Sequence, residues 1–302
     1  WEVACDNAGD CVAHGYQRYE DRRSEHWLRL DMKAGPQARP RLSGAAAGVD
    51  IDTARLVDAP ADLADKPLID QLLGVAKTAG TATLSSNGKA KVAFSLAGLA
   101  AALLVIDEAQ GRIGTTTALI RPGPKPAAAV PGPRPRPRVA PKPVKGLAAG
   151  DETLRLALAR RLKPKIGEDC PRQDDGEGSG DIWRLTKSLS LVELYCDSGA
   201  YNFRSRFYLI EGRDAARARP VLFPTPEGKT ETELVNPSFE PEQGTLSFFG
   251  KGRGPGDCGQ QGVYAWTGKS FALASFTQLL ECNGLPGGGD GEEWPALWRS
   301  TK

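Results

Sequence analysis

From Pro122 to Pro143 the chain carries nine prolines, several alternating with arginine as in Arg134-Pro135-Arg136-Pro137-Arg138. Proline lacks an N–H and fixes φ, so such a run forms neither helix nor central strand and must be extended. It therefore divides the chain. At 302 residues, two cores are expected rather than one: an N-terminal domain over residues 1–120, an extended Pro/Arg-rich linker over 121–145 and a C-terminal domain over 146–302. In polyproline II geometry about 25 residues span on the order of 75 Å, which suits a semi-rigid spacer or a strand draped along a domain face.

The same stretch concentrates charge. The chain as a whole has a formal net charge of +2, yet Arg121 to Lys145 contains seven basic residues and no acid. Like charges keep a solvated linker from collapsing, and that is the plain reading. A functional reading is also open, in which Arg134, Arg136 and Arg138 meet anionic headgroups, lipopolysaccharide phosphates or nucleic acid. Of these we expect an anionic envelope surface and not nucleic acid.

The six cysteines fall into three local pairs. Cys5 and Cys11 flank the turn-rich segment Asp6-Asn7-Ala8-Gly9-Asp10, Cys170 and Cys196 bracket a Gly/Asp-rich loop and a strand, and Cys258 and Cys282 bracket a hairpin. Six cysteines allow 15 connectivities, and the linker favours sequential pairing, 5–11, 170–196 and 258–282. Zinc ligands usually stand in pairs two to four residues apart, which none of these do. Disulfides imply an oxidising compartment, the periplasm or the exterior. The chain opens on Trp1 and its one methionine is Met32, so we expect a cleaved signal peptide. The longest apolar run, Leu96 to Ile106, is too short to span a bilayer.

Periodicity fills in the domains. Strands are expected at Trp1–Cys5, Cys11–Tyr16, Trp27–Lys33 and Gly48–Ile51, and an amphipathic helix at Lys66–Thr78. Asn87-Gly88 between alternating runs marks a hairpin over Ala82–Leu96, and a largely buried apolar helix follows at Leu99–Ala109, ending at Gly111. Beyond the linker, Asp151 caps a helix at Glu152–Leu162 that Pro164 should close. Seven strand candidates then run from Trp183 to Thr277. Two α+β domains result, each a mainly antiparallel sheet with one or two packed helices, stapled by disulfides.

Four phrases stand out together: Trp1-Glu-Val-Ala-Cys5 with Gly9-Asp-Cys11, Phe94-Ser-Leu-Ala-Gly-Leu99, Ile106-Asp-Glu-Ala-Gln-Gly-Arg112, and Gly256-Asp-Cys-Gly259 leading to Tyr264-Ala-Trp266. With them the chain resembles, over nearly its whole length, the exported bacterial family called domain of unknown function 1176. The first 120 residues or so also resemble the invasion-associated locus B proteins of Gram-negative bacteria. The resemblance implies an exported Gram-negative protein and supplies no catalytic residues.

Catalytic or metal chemistry finds little to use. His14 and His26 could meet across strands and hold a metal with Asp10 or Glu25, but scattered histidines are more often structural. The loop Asp174–Asp181 offers oxygen ligands without the ordered spacing of a calcium loop. Gly287–Glu293 is no phosphate loop. Glu108 and Arg112, four apart at a helix end, can pair. Alternation sets Tyr201, Phe203 and Phe207 on one strand face and Arg204 and Arg206 on the other. Trp294 and Trp298 could leave an aromatic surface for a glycan or peptide. We therefore assign no catalytic, cofactor or metal residue. The expected function is a non-catalytic envelope binding module whose partner is an envelope protein, a glycan or an anionic surface. The alternatives are a carboxylate-based envelope hydrolase and a structural envelope protein.

Overall fold

The computed structural model describes residues 1–16, 27–44, 48–51, 54–57, 63–64, 70, 74, 80–86, 90–144, 151–166, 180–282 and 294–302. The chain divides into two compact units. One comprises Trp1–Arg136 with C-terminal stretches that include Leu280 and Trp294, and the other Pro137–Leu279 with Trp298–Lys302. The division at Arg136/Pro137 thus falls within the stretch expected to be a linker.

The first unit holds two antiparallel sheets. One contains β1 (Glu2–Cys5), β2 (Cys11–Tyr16), β3 (Trp27–Met32), β4 (Pro40–Gly44) and β7 (Leu63–Ala64), in the order β1-β2-β3-β4-β7. The other contains β5 (Gly48–Ile51), β6 (Ala54–Val57), β8 (Thr81–Ser86) and β9 (Ala90–Ser95), in the order β6-β5-β8-β9. The β8 and β9 strands pair antiparallel, Thr81 opposite Ser95, as the Asn87-Gly88 signal requires; the turn itself lies outside the described residues. So does most of the helix expected at Lys66–Thr78, of which Asp70 and Gly74 are helical.

Helix α1 (Leu99–Ala109) occupies the expected span. Its Leu99, Ala102, Leu103 and Ile106 are buried with Leu28, Leu30, Met32, Leu42 and Phe94 in one apolar cluster. The stripe is narrower than the all-round apolar sequence implied, because Val105 remains 49% exposed. Gly111, at φ 67°, turns the chain off the helix end, a backbone conformation that side chains with a Cβ resist.

Among the described residues the second unit holds two large sheets, a two-stranded ribbon and a helix. Helix α2 (Asp151–Ile166) continues past Pro164; near a helix end the missing N–H removes one bond without stopping the last turn. The first sheet is β10 (Ile182–Arg184), β11 (Leu189–Ser198), β12 (Phe203–Glu211) and β13 (Arg219–Pro220), with β16 (Glu233–Val235) also paired to β12. A small ribbon joins β14 (Phe223–Pro224) and β15 (Thr230–Glu231). The second large sheet runs β17 (Ser238–Glu240), β18 (Thr245–Lys251), β19 (Gly259–Trp266), β20 (Phe271–Leu279), β21 (Ala296–Arg299).

Strand alternation sorts the faces of the first of these sheets. Val192, Leu194, Tyr208 and Ile210 pack with Leu154, Leu158 and Ala159 of α2. The opposite face carries Phe207, whose ring meets Phe223 at 5.8 Å, and Phe223 in turn meets Tyr264 at 4.9 Å. Trp183 meets Phe239 at 5.2 Å. The two large sheets therefore enclose an aromatic core, with edge-to-face and tilted pairs that add to plain area burial.

Candidate functional site

The β1–β2 hairpin puts Cys5 directly opposite Cys11, and the two form a disulfide. The five residues it encloses wind around Asp6. The Asp6 amide donates to the Asp10 carbonyl (2.8 Å) and the Gly9 amide to the Asp6 carbonyl (2.9 Å). One carboxylate oxygen of Asp6, Oδ1, accepts from the amides of Ala8 (2.9 Å) and Asp10 (3.0 Å), the pattern by which a short acidic side chain stabilises its own turn.

The other oxygen reaches the proline-rich stretch. Arg136 Nη2 donates to Asp6 Oδ2 at 2.7 Å and to Asp10 Oδ2 at 2.9 Å. Asp10 also accepts from the Ala34 amide and from Lys33. Burial works against ionisation of Asp10, but the Ala34 amide, Lys33 and Arg136 outweigh it and hold its pKa below 3.8. Burial likewise disfavours the Arg136 cation, and Asp6 and Asp10 overcome that, raising its pKa. The Arg134 amide then donates to the Ala8 carbonyl at 3.0 Å.

The other contacts of this loop explain the phrase Asp107-Glu-Ala-Gln-Gly-Arg112. Gln110 Nε2 donates to the carbonyls of Gly9 and Met32, both at 2.8 Å. Arg112 is completely buried. Its Nε donates to Gln110 Oε1 (2.6 Å), Nη1 to Thr117 Oγ1 (3.2 Å), and Nη2 to the carbonyls of Gly35 (2.8 Å) and Lys33 (3.2 Å). The donors of Arg112 thus go to Gln110, Thr117 and backbone carbonyls, while Glu108 stays exposed; a fork of fixed donors suits several converging carbonyls better than one exposed acid. Asp107, equally buried, accepts the amides of Leu119 and Ile120, both at 2.8 Å.

Past Arg136 the proline-rich stretch is bonded to the second unit. The Thr301 amide donates to the Pro137 carbonyl (2.9 Å), and the amides of Val139, Lys142 and Val144 donate to the carbonyls of Thr301, Trp266 and Pro241, each at 2.8 Å. The stretch is a strap lying along each unit, not a solvated spacer. Proline removes the N–H at nine positions from Pro122 to Pro143, and several of the remaining N–H groups supply the anchors. Val130 and Val139 are buried along it.

The strap's cations divide into two kinds. Arg136 faces inward, whereas Arg121, Lys125, Arg134, Arg138 and Lys142 are exposed and form no ion pair among the described residues. Lys145 lies outside those residues. Of the tryptophans, Trp294 is 1% exposed and offers no open ring face. Trp298 is partly exposed, its Nε1 donating to the Leu273 carbonyl at 3.0 Å. Arg204 and Arg206 form ion pairs with Asp197 and Glu233.

Cys196, Cys258 and Cys282 are disulfide-bonded as well, and no cysteine among the described residues is free. Cys170, His26, Glu25, Asp174–Ser179 and Gly287–Glu293 lie outside the described residues. His14 is buried, and burial together with the Arg29 charge lowers its pKa to about 3, so it is neutral at pH 7.

Glu193 was not singled out by sequence reasoning. It sits on β11 opposite Phe207 of β12, on the face turned to the aromatic core. Burial raises its pKa to about 7, the nearby Ser205 side chain opposes that, and the Asp181 charge adds to it. One acid inside the otherwise apolar run Leu189–Cys196 was the available signal. Asp6 was missed too, although an Asp opening a tight turn is a recognisable pattern.

A family model described as "Protein of unknown function (DUF1176)" matches residues 1–301. The "Uncharacterized protein YpfG" of Escherichia coli (strain K12) is 27% identical over 326 residues, covering 99% of this chain and 90% of that protein. No solved structure matches. These matches carry the first resemblance drawn from the sequence and not the likeness to the invasion-associated locus B proteins. With the model spanning all but its last residue, the chain belongs to the DUF1176 family.

Proposed function

We propose that this protein is an exported interaction module of the Gram-negative envelope, working in the periplasm and not as an enzyme. The observation that carries the reading is how its most distinctive residues are used. Asp107, Gln110, Arg112 and Asp6 hold backbone amides and carbonyls in place, and Asp6 also holds Arg136 of the acid-free proline-rich stretch, whose Arg121, Lys125, Arg134, Arg138 and Lys142 are exposed. Oxidised cysteines fit an oxidising compartment, and no helix among the described residues is long and apolar enough to cross a membrane. The pairings 170–196 and 258–282 belong to this proposal.

A carboxylate hydrolase would need an accessible pair of acids with one in apolar surroundings. Glu193, half-buried with the Asp181 charge acting on it, comes nearest to that requirement.

Peptide mapping of the unreduced protein from the periplasmic and cytosolic fractions of its host tests the proposal. Three local disulfides on chains recovered from the periplasm are the expected result. Free thiols on cytosolic chains would overturn it.

A further inference from the structure

We infer that Asp181, Glu193 and Ser205 of the second unit form a binding site for a hard divalent cation, calcium or magnesium. Strand register brings the three together. The Glu193 amide donates to the Asp181 carbonyl at 2.8 Å, so Asp181 stands beside Glu193 just before the edge strand β10. Ile182 is buried in the cluster with Leu154 and Leu158 of α2, which turns Asp181, one residue before it, to the opposite face. Across β11 and β12, Glu193 lies opposite Phe207 and Tyr195 opposite Ser205. Glu193 and Ser205 therefore share that same face, the one that carries Phe207. All three residues belong to one unit.

Three features point to a cation. Asp181 is exposed, Glu193 half-buried and Ser205 without exposed surface, so their oxygens lead from the sheet edge inward. Neither acid forms an ion pair among the described residues. Burial and the Asp181 charge act on Glu193 with no neighbouring cation among those residues to offset them, which raises its pKa to about 7. Ser205 Oγ is buried and has no hydrogen-bond partner among the described residues, while its side chain lies close enough to Glu193 to act on that carboxyl group. Native proteins rarely leave such a hydroxyl unmet, and a cation held by the two carboxylates takes its lone pair. The donor set is oxygen alone, two carboxylates and a hydroxyl. That set suits calcium or magnesium with water completing the shell, and not zinc or copper, which favour nitrogen and sulfur.

The test is the melting of the full chain at about pH 8, above the Glu193 pKa, after treatment with a chelator and again with added calcium, magnesium or spermidine. Asp181→Asn and Glu193→Gln are compared with Glu211→Gln and Glu242→Gln, exposed acids of the same unit. A calcium site of the weaker, extracellular kind has a dissociation constant on the order of 1 mM. About 10 mM calcium or magnesium should therefore raise the melting temperature of the parent and of both control variants by roughly 3 °C. The affinity read from the cation dependence of melting should fall about tenfold in Asp181→Asn and in Glu193→Gln, each of which removes one ligand charge. Asp181 is exposed, so Asp181→Asn gives a folded variant even where Glu193→Gln does not. No rise with either metal, a rise in Asp181→Asn equal to that of the parent, or a rise with spermidine as large as with calcium would overturn the inference. Each of these results leaves the envelope reading standing, since that reading falls only with cytosolic, reduced chains.

Discussion

Arg136 Nη2 lies 2.7 Å from Asp6 Oδ2, and the Asp6 side chain is 2% exposed. A carboxylate so enclosed requires a compensating cation, and removing the cation costs more than the pair contributes. Arg136→Gln should therefore destabilise the first unit by about 2–3 kcal/mol in denaturant unfolding. Arg134→Gln and Arg138→Gln, whose side chains are exposed, should each stay within about 0.5 kcal/mol of the parent.

That contrast shows what the sequence could and could not reveal. The Arg-Pro alternation established that the segment is extended, because proline dictates it locally. Which arginine turns inward depends on Asp6, 130 residues away in the chain, and no local pattern encodes such a pairing. The same holds for Arg112. Its spacing from Glu108 suggested a helix-surface pair, but the carbonyls of Lys33 and Gly35 converge on it from a distant loop. Helix α1, the β8–β9 hairpin and most strands of the second unit were legible, since hydrophobic period and turn residues act over a few positions. Glu193 was not, because its burial follows from how two sheets stack.

Asp107 and Arg112 give the second prediction. Asp107→Asn leaves one of two buried amides, Leu119 or Ile120, without its charged acceptor, at about 1–2 kcal/mol, and should speed amide exchange at those residues. Arg112→Lys cannot reproduce the four-way fork and should be worse, about 3 kcal/mol.

Buried His14 and half-buried Glu193 give the units opposite pH dependence. Glu193, raised by burial from 4.5 to about 7, binds a proton in the folded state that the unfolded chain releases. Its stabilisation is complete below pH 4.5 and is lost as pH rises to about 7. His14, lowered by burial from 6.5 to about 3, behaves in reverse. Its contribution is complete above pH 6.5 and is lost as pH falls toward 3. Calorimetry across this range should show Glu193→Gln raising the melting temperature of the second unit above pH 7 with little effect near pH 4.5. His14→Gln should flatten the acid limb of the first unit.

Gly244 tests how closely the strap is seated. It has φ 66°, and a Cβ there would collide with the Lys142 carbonyl. Gly212 has φ 73° with nothing within 4 Å of such a Cβ. Gly212→Ala should cost about 1 kcal/mol from backbone strain alone. Gly244→Ala should cost roughly 2–3 kcal/mol, since it must also displace the strap.

The account turns on the strap being part of the fold, held by Arg136 with its neighbours facing out. Amide hydrogen exchange over residues 132–138 measures this directly, because prolines leave few amides there and the Arg134 amide is bonded to Ala8. Protection at Arg134 in the parent, lost in Arg136→Gln and kept in Arg138→Gln, is the predicted result. Exchange at the rate of a free chain in the parent protein would contradict it.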